Sequence, residues 1–501
     1  MGLIAITLLI PIFGALVLAL LDDDGLVPRV VALVASLATF GASIALLVEF
    51  DLSDGALQLS EQLTWIPAIG ASVSLAVDGV SLALILLTTF LVPLIILASW
   101  DTITDRVRGY LAAFLLLEAA VIGVFAATDL LLFYVFFEFS LVPMYLIIGI
   151  WGGAARKAAA VKFFLYTLLG GLLMLVAILY LYGQTGSFAY EAMLDLSLSG
   201  TEQAWLFSAF LVAFAVKVPL FPVHTWLPDA HTEAPTGGSV FLAGVLLKMG
   251  TFGLLRYALP FFPDATADFA PWLIAISVIG ILYGAVVALM QADIKKLIAY
   301  SSVSHMGFVV LGTFALTSTA TSASVVQMIN HGLSTGALFL LIGFLYERRH
   351  TRQIAAFGGL AKRVPVMAGL WLVVSMSSLA LPGLNGFVGE FPILLGTFQV
   401  NRTAAVFASF GVVLAALYLL WAYQRIFHGP LEGADNENTT DLKPREIGVL
   451  APIIVLIVVI GLYPKPLYDL VEPSVDRVLA EVDAGAEAED EGPIDDEEDG
   501  S

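Results

Sequence analysis

KVPLFPVHTWLPDAHTEAP, residues 217–235, decides how this chain folds. A lysine ends an apolar run, Pro219 and Pro222 follow at once, and two histidines and two acids close the stretch. Proline lacks a backbone donor and clashes with the preceding turn, so an apolar helix arriving at Lys217 cannot run straight on. A second run, 364–398, carries Leu381, Pro382, Gly383 and Gly386 inside it. Both runs are longer than the roughly 20 residues that cross about 30 Å of hydrocarbon, and both are expected to be discontinuous. Broken backbone at membrane depth persists only where protein or a water-filled cavity satisfies the freed amides, so a break in each half points to a transport path. A simple proline kink is the bland alternative.

The composition agrees. Of 501 residues, 59% are hydrophobic and 13% charged, against about 45–50% and about 25% in soluble domains, which makes this an integral membrane protein. Outward from the broken runs lie others of spanning length, fourteen in all, near 3–21, 27–49, 75–98, 109–127, 130–150, 160–182, 205–230, 236–258, 270–290, 295–316, 323–346, 364–398, 403–427 and 447–463. The expected fold class is therefore all-α and polytopic. The first run begins at Met1 without a basic leader and is followed at once by another span, so it reads as a retained helix and not as a cleaved signal.

With no cysteine there is no disulfide, no Cys-ligated zinc and no iron–sulfur cluster. No Walker loop, no GxGxxG after a strand and no haem attachment motif occurs, so no cofactor is expected in this chain. The net charge of −20 disfavours nucleic acid as a partner, and with the missing cysteines it fits the proteins of salt-loving microbes. Much of it sits in 481–501, which holds acids, no base and few large apolar residues; that segment is expected to be a solvated, disordered tail.

Basic residues outside the runs set the orientation. They gather after odd-numbered spans, among them Arg106, Arg108, Arg156, Lys157, Lys295, Lys296, Arg348, Arg349 and Arg352. Both termini, and the tail with them, are thus expected on the outer face of the cell membrane. Lys217 and Lys248 belong to neither side and fall inside spans.

An ionisable group at the bilayer centre costs about 2.5–3.5 kcal/mol on insertion scales, so each needs a partner or a purpose. Glu118, Glu138, Lys217, Lys248 and Glu390 all fall inside apolar runs, and His305 and His331 add groups that titrate near neutrality. Glu138 with Lys217 could be a buried ion pair that fixes packing, but such pairs are weak sources of stability. Acids, lysines and histidines at similar depth otherwise form a chain along which protons hop, an acid beside a lysine acting as a switchable proton store. For each histidine, a core residue satisfied by a hydroxyl or carbonyl is the competing reading. His224 and His231, with Asp229 and Glu233, match no zinc spacing, and their polarity suits a proton entry better than a metal site.

The stretches 133–153 (FYVFFEFSLVPMYLIIGIWGG), 217–235, 237–256 (GGSVFLAGVLLKMGTFGLLR) and 299–307 (AYSSVSHMG) resemble the antiporter-like, proton-translocating subunits of respiratory complex I, in particular the subunit M (chain 4) type of NADH-quinone oxidoreductase. The resemblance covers nearly the whole chain except the tail. It implies fourteen helices with three at the N-terminus (1–108), two inverted five-helix repeats (109–258 and 259–428) each holding one broken helix, and a loop with a last helix (429–480). It implies a proton relay through Glu138 paired with Lys217, then Lys248, His305, His331 and Glu390, in a chain without a redox centre that works beside other membrane-arm subunits and peripheral redox subunits. Related subunits usually carry lysine at the twelfth-helix position where this chain has Glu390. A multi-subunit sodium/proton antiporter, a membrane-bound hydrogenase and a dehydrogenase for a reduced deazaflavin coenzyme share these motifs.

Overall fold

The structure, a computed structural model, describes residues 2–23 and 25–490, with side chains up to 484. Each apolar run becomes a helix or a broken pair of helices. Among the described residues eleven helices are long and apolar enough to cross a membrane, and Leu3–Ala19 and Pro365–Ser378 are shorter apolar helices. The third (Gly79–Ala98), fourth (Val107–Ala126), eighth (Thr236–Phe261), tenth (Ile294–Phe314) and eleventh (Ser318–Arg349) spans are buried nearly all round. The second, sixth, thirteenth and fourteenth spans present large apolar side chains outward, such as Leu169 and Val413, as a hydrocarbon solvent requires.

Both expected breaks are present. The seventh span runs from Gly200 to Lys217 and resumes as Leu227–Glu233, with turns between. The Trp226 indole donates to the Val216 carbonyl at 2.9 Å and ties the two halves together. The twelfth span breaks between Pro365–Ser378 and Asn385–Val400, where Gly383 takes φ +91°, a conformation that favours glycine. The fifth run, read from the sequence as one span, is divided at Ser140 into Leu130–Phe139 and Leu141–Trp151. Pro143 has no N–H to offer the Phe139 carbonyl, which opens the ladder there. In the eighth span, Leu242–Leu246 and Leu254–Ala258 are π-helical turns, a feature that concentrates at functional sites.

Three further features depart from the sequence reading. Residues 75–77, taken as the start of the third span, belong to a strand, Ala71–Val77, that pairs antiparallel with Gln58–Ile66. The hairpin turns at Gly70, φ +67°, a conformation that favours glycine. A helix over Lys465–Asp490 then crosses this hairpin end of the bundle. Ser474 accepts from the Gly79 N–H at 2.9 Å, Asp476 accepts from Ser318 at 2.5 Å, and the Tyr468 hydroxyl donates to the Val388 carbonyl at 2.7 Å. Leu470, Val471, Val475, Val478 and Val482 are buried, the apolar stripe of an amphipathic helix. The stretch expected to be a disordered tail from Glu481 therefore begins as helix, through Asp490; 491–501 lie outside the described residues.

Small residues set the close approaches that position the site. Gly244 and Gly332 face each other, bringing the eighth and eleventh spans together, while Gly250 and Gly253 receive Phe214 and Val218 of the seventh. Helix contacts in membranes rely on such residues because lipid supplies no hydrophobic driving force between helices.

Candidate functional site

Lys248, fully buried on the eighth span, places Nζ 2.7 Å from Nδ1 of His331 and donates to the Ala243 carbonyl five residues back. The π turn over 242–246 matches that five-residue spacing. An ammonium is donor-only, so with Lys248 charged His331 accepts at Nδ1 and carries its proton on Nε2.

The His331 ring lies 6.0 Å, centroid to centroid, from that of His305. A cavity of about 10 Å³ sits beside them, lined also by Gln327, Asn330, Ser334 and Ser377; a site of this polarity and size holds about one water. On its far side His305 Nδ1 is 2.6 Å from Glu390 Oε1, and Gln327 Nε2 donates to the same oxygen at 2.8 Å. The Tyr418 hydroxyl of the thirteenth span (Arg402–Phe427) is 3.2 Å from His305 Nε2. Lys248, His331, His305 and Glu390 thus form one buried line across four helices.

Glu138 and Lys217 are not part of that line and are not in ion-pair contact with each other in this structure. Lys217 Nζ sits 4.9 Å from the Phe137 ring centroid and 3.4 Å from Ser140 Oγ, while Glu138 rests on the sixth span at Gly171 with Oε1 unpartnered. The packing role of a closed ion pair is therefore not what these residues perform here. Glu118 is fully buried with both carboxyl oxygens unpartnered.

His231 is fully buried, stacked on Phe339 at 4.5 Å, and both its ring nitrogens lack partners. The next residue, Thr232, lines a cavity of about 640 Å³ at the arginine-rich end, shared with Glu233, Lys295, Glu347 and Arg352. Lys295 Nζ donates to the Ala234 carbonyl at 2.6 Å in its floor. His224 is buried between Phe221 and Tyr283 at 5.8 and 5.1 Å, apart from that cavity.

Sequence reasoning passed over Gln327, Asn330, Ser334 and Tyr418. The first three had a signal: Thr321, Ser324, Gln327, Asn330, His331 and Ser334 recur at helical spacing as one polar stripe in an otherwise apolar run. Tyr418 had none, since its partner comes from another span. Among the described residues no cluster of His, Asp and Glu could hold a metal ion.

Comparison with known proteins places these features. Residues 127–415 match the family described as NADH:quinone oxidoreductase/Mrp antiporter, transmembrane, and residues 28–124 match NADH-ubiquinone oxidoreductase chain 4, amino terminus. The chain is 47% identical over 462 residues to NADH-quinone oxidoreductase subunit M of Rhodobacter capsulatus, covering 90% of each. It superposes with a TM-score of 0.88 and 32% identity on a chain of respiratory complex I from Thermus thermophilus with bound NADH, covering 96% of this chain and 99% of that one. A chain of the Mrp complex from Dietzia gives a TM-score of 0.83 at 21% identity, over 97% and 100%, a likeness of fold.

Proposed function

From the premise that this chain belongs to the NADH:quinone oxidoreductase/Mrp antiporter transmembrane family, we propose that it is the proton-translocating membrane-arm subunit of a complex I-like enzyme. It works as one subunit of an NADH-quinone oxidoreductase, assembled with other membrane subunits. Electrons pass through the peripheral redox subunits, since without cysteine this chain has no ligands for an iron–sulfur cluster. The observation that carries the reading is the buried line from Lys248 through His331 and His305 to Glu390.

In this reading protons enter from the arginine-rich, cytoplasmic end through the 640 Å³ cavity and His231, with His224 as a second entry group. Glu138 moves toward or away from Lys217. When the acid approaches, it holds the Lys217 proton; when it withdraws, the ammonium is left facing Phe137 and Ser140, and its proton passes to Lys248. His331, the single-water cavity and His305 carry it to Glu390, and it leaves at the hairpin end, the outer face in this reading. The two five-helix groups, 109–258 and 259–428, act as inverted halves around this line, each with its break beside a relay group.

The test is proton pumping by the assembled complex in proteoliposomes, per electron pair delivered by the donor. Lys248→Ala and Glu138→Gln should each lower it more than tenfold for this subunit's share with assembly intact; wild-type pumping overturns the reading. The family also includes Mrp antiporters. Proton movement that requires sodium, in a complex purified without redox subunits, favours that alternative.

A further inference from the structure

Glu390 Oε1 is taken by His305 and Gln327, but Oε2 is buried and unpartnered. Beyond it on the second half of the twelfth span come Ile393 and then Thr397, both fully buried, and the Thr397 hydroxyl also has no partner. An unpartnered buried hydroxyl is a cost that a purely structural helix contact avoids with valine or alanine. From Glu390 to Thr397 the helix rises about 10 Å toward the hairpin end.

The facing side of the eleventh span stays polar over the same distance. Ser324 lies one turn from Gln327 and its Oγ is 3.2 Å from Thr313 Oγ1 of the tenth span. Near the end, Gly396 packs so closely that a Cβ there would stand 2.8 Å from Thr317 Oγ1. The next residue, Ser318, bonds exposed Asp476 at 2.5 Å. Apolar contacts interrupt this polar lane: a Cβ at Gly396 would also stand 2.7 Å from Ala320 Cβ, and nearer Glu390, at Gly312, a Cβ would stand 2.9 Å from Ile393 Cγ1 and 3.0 Å from Ser324 Cβ. Ile393 is thus wedged between the buried carboxyl and the outer hydroxyls.

We propose that Ile393, seated against Gly312, is a dry gate between Glu390 and an outlet past Thr397 to the hairpin end. A hydrophobic constriction closes by excluding water and opens when helices part slightly. With the gate open, Glu390 gives its proton to an entering water and is left as a carboxylate held by His305 and Gln327; the proton leaves along the hydroxyls, and His305 reprotonates the carboxylate. The proposal rests on the reading of Glu390 as the last relay group.

The experiment uses the whole complex in proteoliposomes. Ile393→Ser should lower the proton gradient sustained during donor oxidation at least twofold while electron transfer stays as fast or faster, and adding Thr397→Val should recover at least half of the loss. Ile393→Leu should behave as wild type. A wild-type gradient in Ile393→Ser, or no recovery in the double variant, overturns the gate. A leak that survives Glu390→Gln in the Ile393→Ser chain keeps the gate and overturns Glu390 as the last group. Should Ile393→Ser fail to assemble, Thr397→Val alone should lower pumping per turnover, and wild-type pumping in that variant overturns the outlet.

Discussion

Lys248 Nζ lies 2.7 Å from Nδ1 of His331, 83 residues further along the chain, and both side chains are buried. Two bases in contact away from water cannot both hold a positive charge cheaply, because their repulsion is poorly screened. In the proposed relay the pair stores one proton and hands it on. Lys248→Arg keeps a cation of similar reach that does not deprotonate. It is expected to assemble and to lose this subunit's pumping more than tenfold, as measured by proton uptake per electron pair.

Glu390 holds His305 at 2.6 Å. Glu390→Gln keeps the shape and the Gln327 contact but cannot carry a proton, so pumping should fall at least tenfold. Glu390→Asp retains the acid one methylene further back and should keep a measurable part of it. Equal pumping in the two variants would show that the carboxyl is not in the path.

Gly171 is where Glu138 rests, and a Cβ at that position would overlap its carboxyl group. Gly171→Ala should displace Glu138 without breaking the sixth span, since alanine favours helix over glycine. The expected outcome is an assembled complex with pumping lowered severalfold; unchanged pumping would mean that the acid's placement is immaterial.

Asp78 ion-pairs with Arg256 at the hairpin end, with both side chains buried, and its carboxylate also caps the third span through the Ser81 N–H at 2.8 Å. Removing one partner of a buried pair costs about 3–5 kcal/mol. Asp78→Ala should therefore lower the complex's thermal inactivation midpoint by several degrees, a change the subunit's release from the complex on heating would report.

Asp101 and Arg445 pair at 2.7 Å on the arginine-rich end, with the aspartate more than half exposed. The Arg445 hydrogen bond holds the Asp101 carboxyl below the usual carboxylate range. Its stabilisation is complete above about pH 4, the ordinary value of the group, and is lost as the pH falls through the lower folded value. Solvent screening limits it to about 1 kcal/mol or less. Asp101→Asn should cost no more than that at pH 7, and the difference from wild type should shrink toward pH 3 in thermal inactivation scans.

Membrane class, the helical runs, the breaks after Lys217 and before Glu390, and the list of buried ionisable groups were all legible in the amino-acid order. Each depends on composition, on apolar run length or on a proline's missing donor, and these act over a few residues. Which of those groups meet was a different matter. Lys248 reaches His331 because Gly244 and Gly332 let two helices approach and a π turn sets the lysine's rotation. Tyr418 reaches His305 from a span over a hundred residues away. Glu138 and Lys217 stand apart because a phenylalanine ring and a serine take the ammonium. The 58–77 hairpin and the helix from Lys465 were not anticipated either: the first strand, with Leu63 and Trp65 exposed, shows no alternation of buried and exposed residues, and the helix's apolar stripe gains meaning only against the helix ends it covers. Contacts between helices depend on rotational phase and distance of approach, and these are settled when all the helices pack at once.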